Sequence, residues 1–160
     1  MSGNNVARKR AAKRASKGRL YLPGLADLID RLSIVLQKEV FIQGHREDYR
    51  REQEAIMHDI DLILRDRTPL GADQIRAICI LQLSNRFVWE NETRIRDGSS
   101  DEPPAVQLER LRMTHAVNGV RNTAKNAISA FDGSRLDYKI DALSADLPEE
   151  HGNWRVFEKC

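Results

Sequence analysis

One stretch in the second half of the chain combines amides and bases at helical spacing. Asn118, Arg121, Asn122 and Lys125 follow one another at intervals that place them on one face of a helix, with His115 one turn earlier. Two fixed cations beside two amides could hold an anion or acidic side chains. A charge-rich helix also has a solvated face, on which isolated charges contribute little. Spacing alone therefore favours the solvated face.

A second polar stretch follows an apolar run and reads Trp89-Glu90-Asn91-Glu92-Thr93-Arg94-Ile95-Arg96. Each glutamate has an arginine four residues later, in the order that stabilises a helix. If the helices carrying the two stretches pack antiparallel, Glu90 or Glu92 is expected to meet a base of the other helix, Arg121 or Lys125. A buried ion network of this kind would set the helix register, which is a structural role.

The remaining polar clusters carry no recognisable catalytic or metal-binding motif. His58, Asp59 and Asp61 lie close together, but bundle di-metal sites repeat a Glu-x-x-His motif that this sequence lacks. His-Glu-x-x-His, Cys-x-x-Cys and phosphate-loop motifs are absent too, and no serine lies in a nucleophile elbow. We predict no metal site and no cofactor, and the residues leave open whether the protein is an enzyme.

The first 19 residues form a separate basic segment. They hold seven of the 26 Lys and Arg residues and no acid, so the rest of the chain carries 19 bases against 24 acids, a net of −5. Such a cluster attracts phosphate backbones, and without aromatic residues for base stacking the contact should be non-specific. We predict nucleic-acid binding through Arg8, Lys9, Arg10, Lys13, Arg14, Lys17 and Arg19.

Other roles for this basic tail are less favoured. A charged tail also promotes solubility, and an anionic membrane would attract it, but it has no apolar face or lipid-anchor motif. The apolar run Ile78–Leu81 is too short to span a bilayer, and no secretory signal is apparent. Two cysteines, Cys79 and the terminal Cys160, do not suggest a disulfide framework. These features predict a cytoplasmic protein with no membrane partner.

Four amphipathic segments must position these side chains. Only 6% of the residues are aromatic, so Leu, Ile, Val and Ala build the core, which favours helices. Apolar spacing predicts helices over 25–42, 46–65, about 72–97 and about 105–131. The third is apolar around most of its circumference, which suggests a central position and a buried Cys79.

Short connections between helices favour antiparallel neighbours. We therefore predict an all-α fold: an antiparallel bundle of about four main helices plus a short C-terminal helix at about 135–145. The length of 160 residues suits one domain. The expected organisation is a basic flexible tail at 1–22, a helical bundle domain at 23–147 and an irregular C-terminal segment at 148–160.

Three patterns occur in order along the predicted helices. They are Leu28-Ile29-Asp30-Arg31-Leu32-Ser33-Ile34 with Lys38, then Trp89-Glu90-x-Glu92-x-x-Ile95-Arg96, then Asn118-x-x-Arg121-x-x-x-Lys125. Together they resemble a family of short, uncharacterised helical proteins of bacteria, sometimes found beside polysaccharide-synthesis proteins, and of tailed phages. The resemblance covers about residues 25–130, without 46–66. It implies one connected polar constellation of Asp30, Lys38, Trp89, Glu90, Glu92, Arg96, Asn118, Arg121 and Lys125.

Two functions follow as alternatives. The first is a non-enzymatic helical binding or assembly protein, a homo-oligomer or part of a larger assembly, whose tail contacts nucleic acid. The second is an enzyme or sensor for a phosphorylated small molecule, such as a nucleotide or nucleotide-sugar. There, Arg121 and Lys125 would hold the phosphate, and Glu90 and Glu92 would bind a divalent metal or carry protons.

Overall fold

The computed structural model describes residues 21–96, 102–137, 153–154 and 156–157. These residues form four helices and no strand: α1 (Leu25–Phe41), α2 (Arg46–Leu64), α3 (Ala72–Arg96) and α4 (Pro104–Asp132). Over the described residues the predictions of an all-α fold and of four main helices are confirmed, and each observed end lies within one residue of the predicted one. The tail to residue 20 and most of the predicted C-terminal helix lie outside the described residues, and 134–137 form no helix.

Local sequence explains where the helices begin and end. At the start of α1 the Asp27 carboxylate accepts a hydrogen bond from the Gly24 N–H at 3.3 Å, where an acid also suits the helix dipole. The first residue of α4 is Pro104, whose missing N–H costs nothing there. Gly133 follows α4 with a φ of 69°, the left-handed conformation that ends many helices.

The main core lies between α1, α3 and α4. The three helices contribute buried apolar side chains to one cluster: Leu25, Ala26, Ile29, Ala77, Ile80, Leu81, Val120, Ala124 and Ile128. Each helix supplies one alanine, and these small side chains let the helix backbones approach closely. A smaller cluster of Leu28, Val35 and Ile56 joins α1 to α2. The core therefore fixes α1 against the two helices that carry the polar stretches.

The prediction that α3 is central and that Cys79 is buried is wrong. It is α1 that contacts each of the other three helices. Along α3, Ile75, Cys79 and Leu83 share one stripe and are exposed, with Leu83 60% accessible. Apolar residues on a helix show which faces could be buried, whereas burial also requires a neighbouring element on that face. None of the described helices is long and apolar enough to cross a membrane.

Candidate functional site

The centre of the candidate site is an ion pair between α1 and α4. Asp30 is 7% exposed, and Arg121 donates to both of its carboxylate oxygens: Nε to Oδ1 at 3.1 Å and Nη2 to Oδ2. Bidentate, charge-assisted pairs are the strongest hydrogen bonds between side chains. Because an unpaired carboxylate in this position would be costly, Asp30 depends on Arg121.

Asn85 brings α3 into the same network. Its Nδ2 donates to Asp30 Oδ1 at 2.9 Å and to Ser33 Oγ at 2.5 Å, while its Oδ1 accepts from Arg121 Nε at 2.7 Å. Asn118 completes the shell, because its Oδ1 accepts from Arg121 Nη1 at 3.2 Å. One guanidinium thus links side chains of three helices.

Lys125 extends the network by one turn of α4. Its Nζ lies 2.8 Å from Asp27 Oδ1 and 3.7 Å from Asp30 Oδ2. Burial raises the pKa of Asp27, but the hydrogen bond and charge of Lys125, the Gly24 N–H and the charge of Arg135 outweigh it and hold this pKa below its ordinary value. We call Asp27, Asp30, Ser33, Asn85, Asn118, Arg121 and Lys125 the interhelical network.

Helix geometry explains why these side chains meet. Asp27 and Asp30 are three residues apart on α1, and Arg121 and Lys125 are four apart on α4, so each pair shares a face. Both faces border the apolar core, which brings α1 and α4 into contact. Two carboxylates therefore face two cations at the edge of the core.

The glutamates of α3 do not join this network. Glu90 accepts from Arg86, and Glu92 accepts from Arg96 Nη2 at 3.1 Å, so both have partners on their own helix. The expectation that either glutamate meets Arg121 or Lys125 is therefore not met. For Glu92 the physical reason is its position along α3: it lies seven residues, about two turns, beyond Asn85, which is the residue that contacts Arg121. Glu90 lies on another face of α3. The side chains of Glu90 and Glu92 are 45% and 51% exposed.

Two further predicted residues lie apart from the network. Lys38 is in the last turn of α1, eight residues after Asp30, which is about 12 Å along a helix axis. Trp89 is half-buried and lines a cleft near Arg121. Of the nine residues in the predicted constellation, the structure thus joins Asp30, Asn118, Arg121 and Lys125 by direct contacts.

Sequence reasoning missed three members of the network: Asp27, Ser33 and Asn85. Asn85 offered the clearest signal, because it lies four residues after the buried Leu81 and so falls on the core face of α3. A polar residue at such a position needs a hydrogen-bond partner. Nothing in the sequence, however, identifies Asp30 and Arg121 as the partners of that amide.

A cleft of about 340 Å³ adjoins the network between α1, α3 and α4. Its wall includes Ile34, Gln37, Val88, Trp89, Arg96 and Arg121. We call it the central cleft. It combines an indole ring and aliphatic side chains with polar groups, which is the usual composition of a small-molecule site.

The predicted basic residues of the tail lie outside the described residues. His58, Asp59 and Asp61 are exposed on α2, and within the described part of the chain no three His, Cys, Asp or Glu residues are grouped so as to hold a metal ion. Comparisons with protein families, curated proteins and solved structures find no match for this chain. The candidate site is therefore interpreted from its own geometry, and the resemblance drawn from the three patterns stays a prediction.

Proposed function

We propose that this protein is a non-enzymatic, cytoplasmic helical binding protein that contacts nucleic acid through residues 1–19. The observation that carries the proposal is the separation of charge: seven bases and no acid in this segment, against a net of −5 in the rest of the chain. The basic segment attracts phosphate backbones, and the net negative charge of the rest of the chain repels them. Binding should therefore depend on the tail alone.

In this proposal the interhelical network has a structural role, because it holds the helices of an antiparallel bundle in register. Asn85 contacts Arg121 and Asn91 contacts Thr114, so residue numbers rise along α3 as they fall along α4. On α1 and α4, the contacts of Asp27 with Lys125 and of Asp30 with Arg121 run in the same opposed sense. These pairings support antiparallel neighbours, with the network fixing their register.

The same contacts weaken the alternative of a phosphate-binding enzyme or sensor. A phosphate at Arg121 and Lys125 would compete with Asp30 and Asp27, which already neutralise these two cations. The proposed metal ligands, Glu90 and Glu92, are bonded to arginines of their own helix. A structural network is therefore the better account of these charges.

Self-association is also part of the proposal. Large apolar side chains are exposed on the outer faces of two helices, namely Ile75 and Leu83 on α3 and Leu108 and Leu111 on α4. Contiguous exposed apolar residues mark interfaces, and here Ile75, Cys79 and Leu83 share one stripe of α3 while Leu108 and Leu111 are neighbours on α4. A homo-oligomer would carry several tails, which would strengthen binding to a long polyanion by multivalency.

The test compares the full chain with two variants, one lacking residues 1–19 and one with the seven bases changed to glutamine. Binding of labelled single-stranded DNA, double-stranded DNA and RNA is followed by fluorescence anisotropy at 50 and 200 mM salt. The full chain should bind, and its affinity should fall by about 10³- to 10⁵-fold over this range if most of the seven cations contact phosphates. Both variants should lose this binding.

The glutamine variant controls for the length of the tail, because it keeps every residue except the bases. Two results would overturn the proposal: no binding by the full chain at 50 mM salt, or unchanged binding after the tail bases are removed. Comparing DNA with RNA identifies the preferred polymer.

A further inference from the structure

Gln37 lines the central cleft, and its buried side chain contains a polar atom without a hydrogen bond. Gln37 is 4% exposed, and its Nε2 donates to the Ser33 carbonyl at 3.4 Å. Turning the amide over would set two oxygens against each other, so this contact defines which end is Oε1. Over the described ranges, Oε1 of Gln37 is the one buried side-chain nitrogen or oxygen without a hydrogen bond. Because buried acceptors are nearly always paired, this oxygen is a candidate acceptor for a donor group on a ligand.

The charges that line the cleft are already paired. Arg121 is neutralised by Asp30, and Arg96 by Glu92. A bare anion would therefore find little excess positive charge. Arg121 still has donors to offer, because its guanidinium has five N–H groups and the contacts with Asp30, Asn85 and Asn118 use three of them. The cleft thus suits a neutral group that has both a donor and an acceptor.

The walls of the cleft favour a flat ligand. Trp89 contributes an indole ring, while Ile34 and Val88 contribute aliphatic side chains. Aromatic side chains stack on the flat faces of heterocycles, nucleobases among them. A volume of about 340 Å³ lies at the lower end of the range for small-molecule sites, which limits the ligand to about one heterocycle with a small substituent.

We propose that the central cleft binds a single nucleobase that carries an N–H beside a C=O. The N–H would donate to Gln37 Oε1, the C=O would accept from Arg121, and the ring would stack on Trp89. Because Oε1 is buried, the proposal includes a rotation of the Gln37 amide about its broad terminal torsion, which exchanges the long contact with the Ser33 carbonyl for the contact with the base. Uracil and guanine have this N–H and C=O arrangement. Adenine and cytosine instead present an amino N–H beside an unprotonated ring nitrogen, so comparing the four bases tests whether Arg121 requires a carbonyl oxygen. The inference concerns the helical body and does not depend on the tail.

The experiment uses the full chain with Trp154→Phe, which leaves Trp89 as the sole tryptophan of the two in the sequence. Uridine, guanosine, adenosine, cytidine and inorganic phosphate are titrated separately while Trp89 fluorescence is recorded. Uridine and guanosine should quench this fluorescence and bind at least tenfold more tightly than adenosine and cytidine. Phosphate should leave the fluorescence unchanged. The proposal would be overturned if neither the nucleosides nor a uracil oligonucleotide changed the fluorescence of Trp89. Equal binding of all four nucleosides, or tight binding of phosphate, would overturn it as well.

Two variants test the role of Gln37. Gln37→Met keeps the length of the side chain but removes the oxygen, and should weaken uridine binding at least tenfold. Gln82→Met on α3, outside the cleft, should bind as the parent does. If Gln37→Met and Gln82→Met bound uridine equally well, Gln37 would not be the acceptor for the base. Should Gln37→Met fail to fold, the selectivity between guanosine and adenosine still decides the question.

A last arm identifies the source of the base. A short uracil oligonucleotide is titrated into the chain whose seven tail bases are glutamine. If free uridine and the oligonucleotide both quench Trp89, the cleft accepts a base from either source, and if only the oligonucleotide does, the ligand is an unpaired base of a strand. Because the tail is neutral here, failure of the tail proposal leaves this result unaffected.

Discussion

Two sets of ion pairs in this molecule look alike in the sequence and differ in the structure. Glu92 and Arg96 lie on one helix, with side chains 51% and 70% exposed. Asp30 and Arg121 lie on different helices, 91 residues apart in sequence, with side chains 9% and 21% exposed. Water and salt compete with the first pair and have less access to the second.

The difference shows what each pair can do for the fold. An i, i+4 pair forms whenever its own helix forms, so it stabilises that helix slightly and says nothing about its neighbours. A pair between α1 and α4 forms only when both helices are packed in one register. Removing one partner of such a pair leaves the other buried without a counter-charge. The same residue types therefore contribute unequally to stability.

The largest expected effect comes from Arg121→Met, which deletes the guanidinium and keeps an apolar stem. Asp30 and Asn85 then lose their shared donor, and the free energy of unfolding should fall by about 2–4 kcal/mol. Urea unfolding followed by circular dichroism measures this loss. Arg112→Met on the exposed face of α4 is the matched control and should change stability by less than about 0.5 kcal/mol.

A double variant sharpens the test. Replacing Asp30 with Leu in the Arg121→Met background removes the stranded carboxylate, so the double variant should be less destabilised than the sum of the two single variants. Simple additivity would mean that the two side chains do not interact. Equal losses for Arg121→Met and Arg112→Met would remove the contrast between the two sets of pairs.

The fold and the site were accessible from the sequence to different degrees. Apolar periodicity predicted all four helices, because helical spacing depends on neighbours a few residues away. It also placed Asn118, Arg121 and Lys125 on one face. It did not reveal that Ile75 and Leu83 are exposed, since that depends on which helix packs where.

Contacts between distant residues were the part that could not be predicted. The spacing of Arg121 indicated a cation on a helix face. Asp30 entered only through a resemblance to a family pattern, as one of nine residues and not as the partner of Arg121. Asn85 and Asp27 have ordinary local surroundings in the sequence. Their role comes from helices that meet after folding, as does the missing hydrogen bond of Gln37.

A smaller effect is expected at Asp27, at the partly exposed end of the interhelical network. Its pKa is lower in the folded protein than in the unfolded chain. The stabilisation is therefore complete above the ordinary aspartate pKa, about 4, and is lost as the pH falls through the folded-state pKa. Asp27→Asn should lower the free energy of unfolding by about 0.5–1 kcal/mol at pH 7, discounted for exposure of the side chain.

The pH dependence distinguishes this ion pair from a simple packing contact. Urea unfolding of the parent and of Asp27→Asn at pH 7, 5 and 3 should give curves whose separation narrows at the lowest pH, because the parent's carboxylate is then being protonated. Lys125→Met should reduce the same pH-dependent separation by removing the cation. A separation that does not change with pH would show that the charge of Asp27 does not contribute.

The smallest effect is expected from Glu92→Gln, which removes the charge of the exposed pair and keeps the shape of the side chain. The free energy of unfolding should change by less than about 0.5 kcal/mol, and 0.5 M salt should abolish the difference. A loss as large as that of Arg121→Met would show that an exposed pair within one helix supports the packing of other helices. In that case burial and sequence separation would not explain the unequal roles of the two sets of charges, and Glu92 would belong to the constellation that the sequence pattern implies.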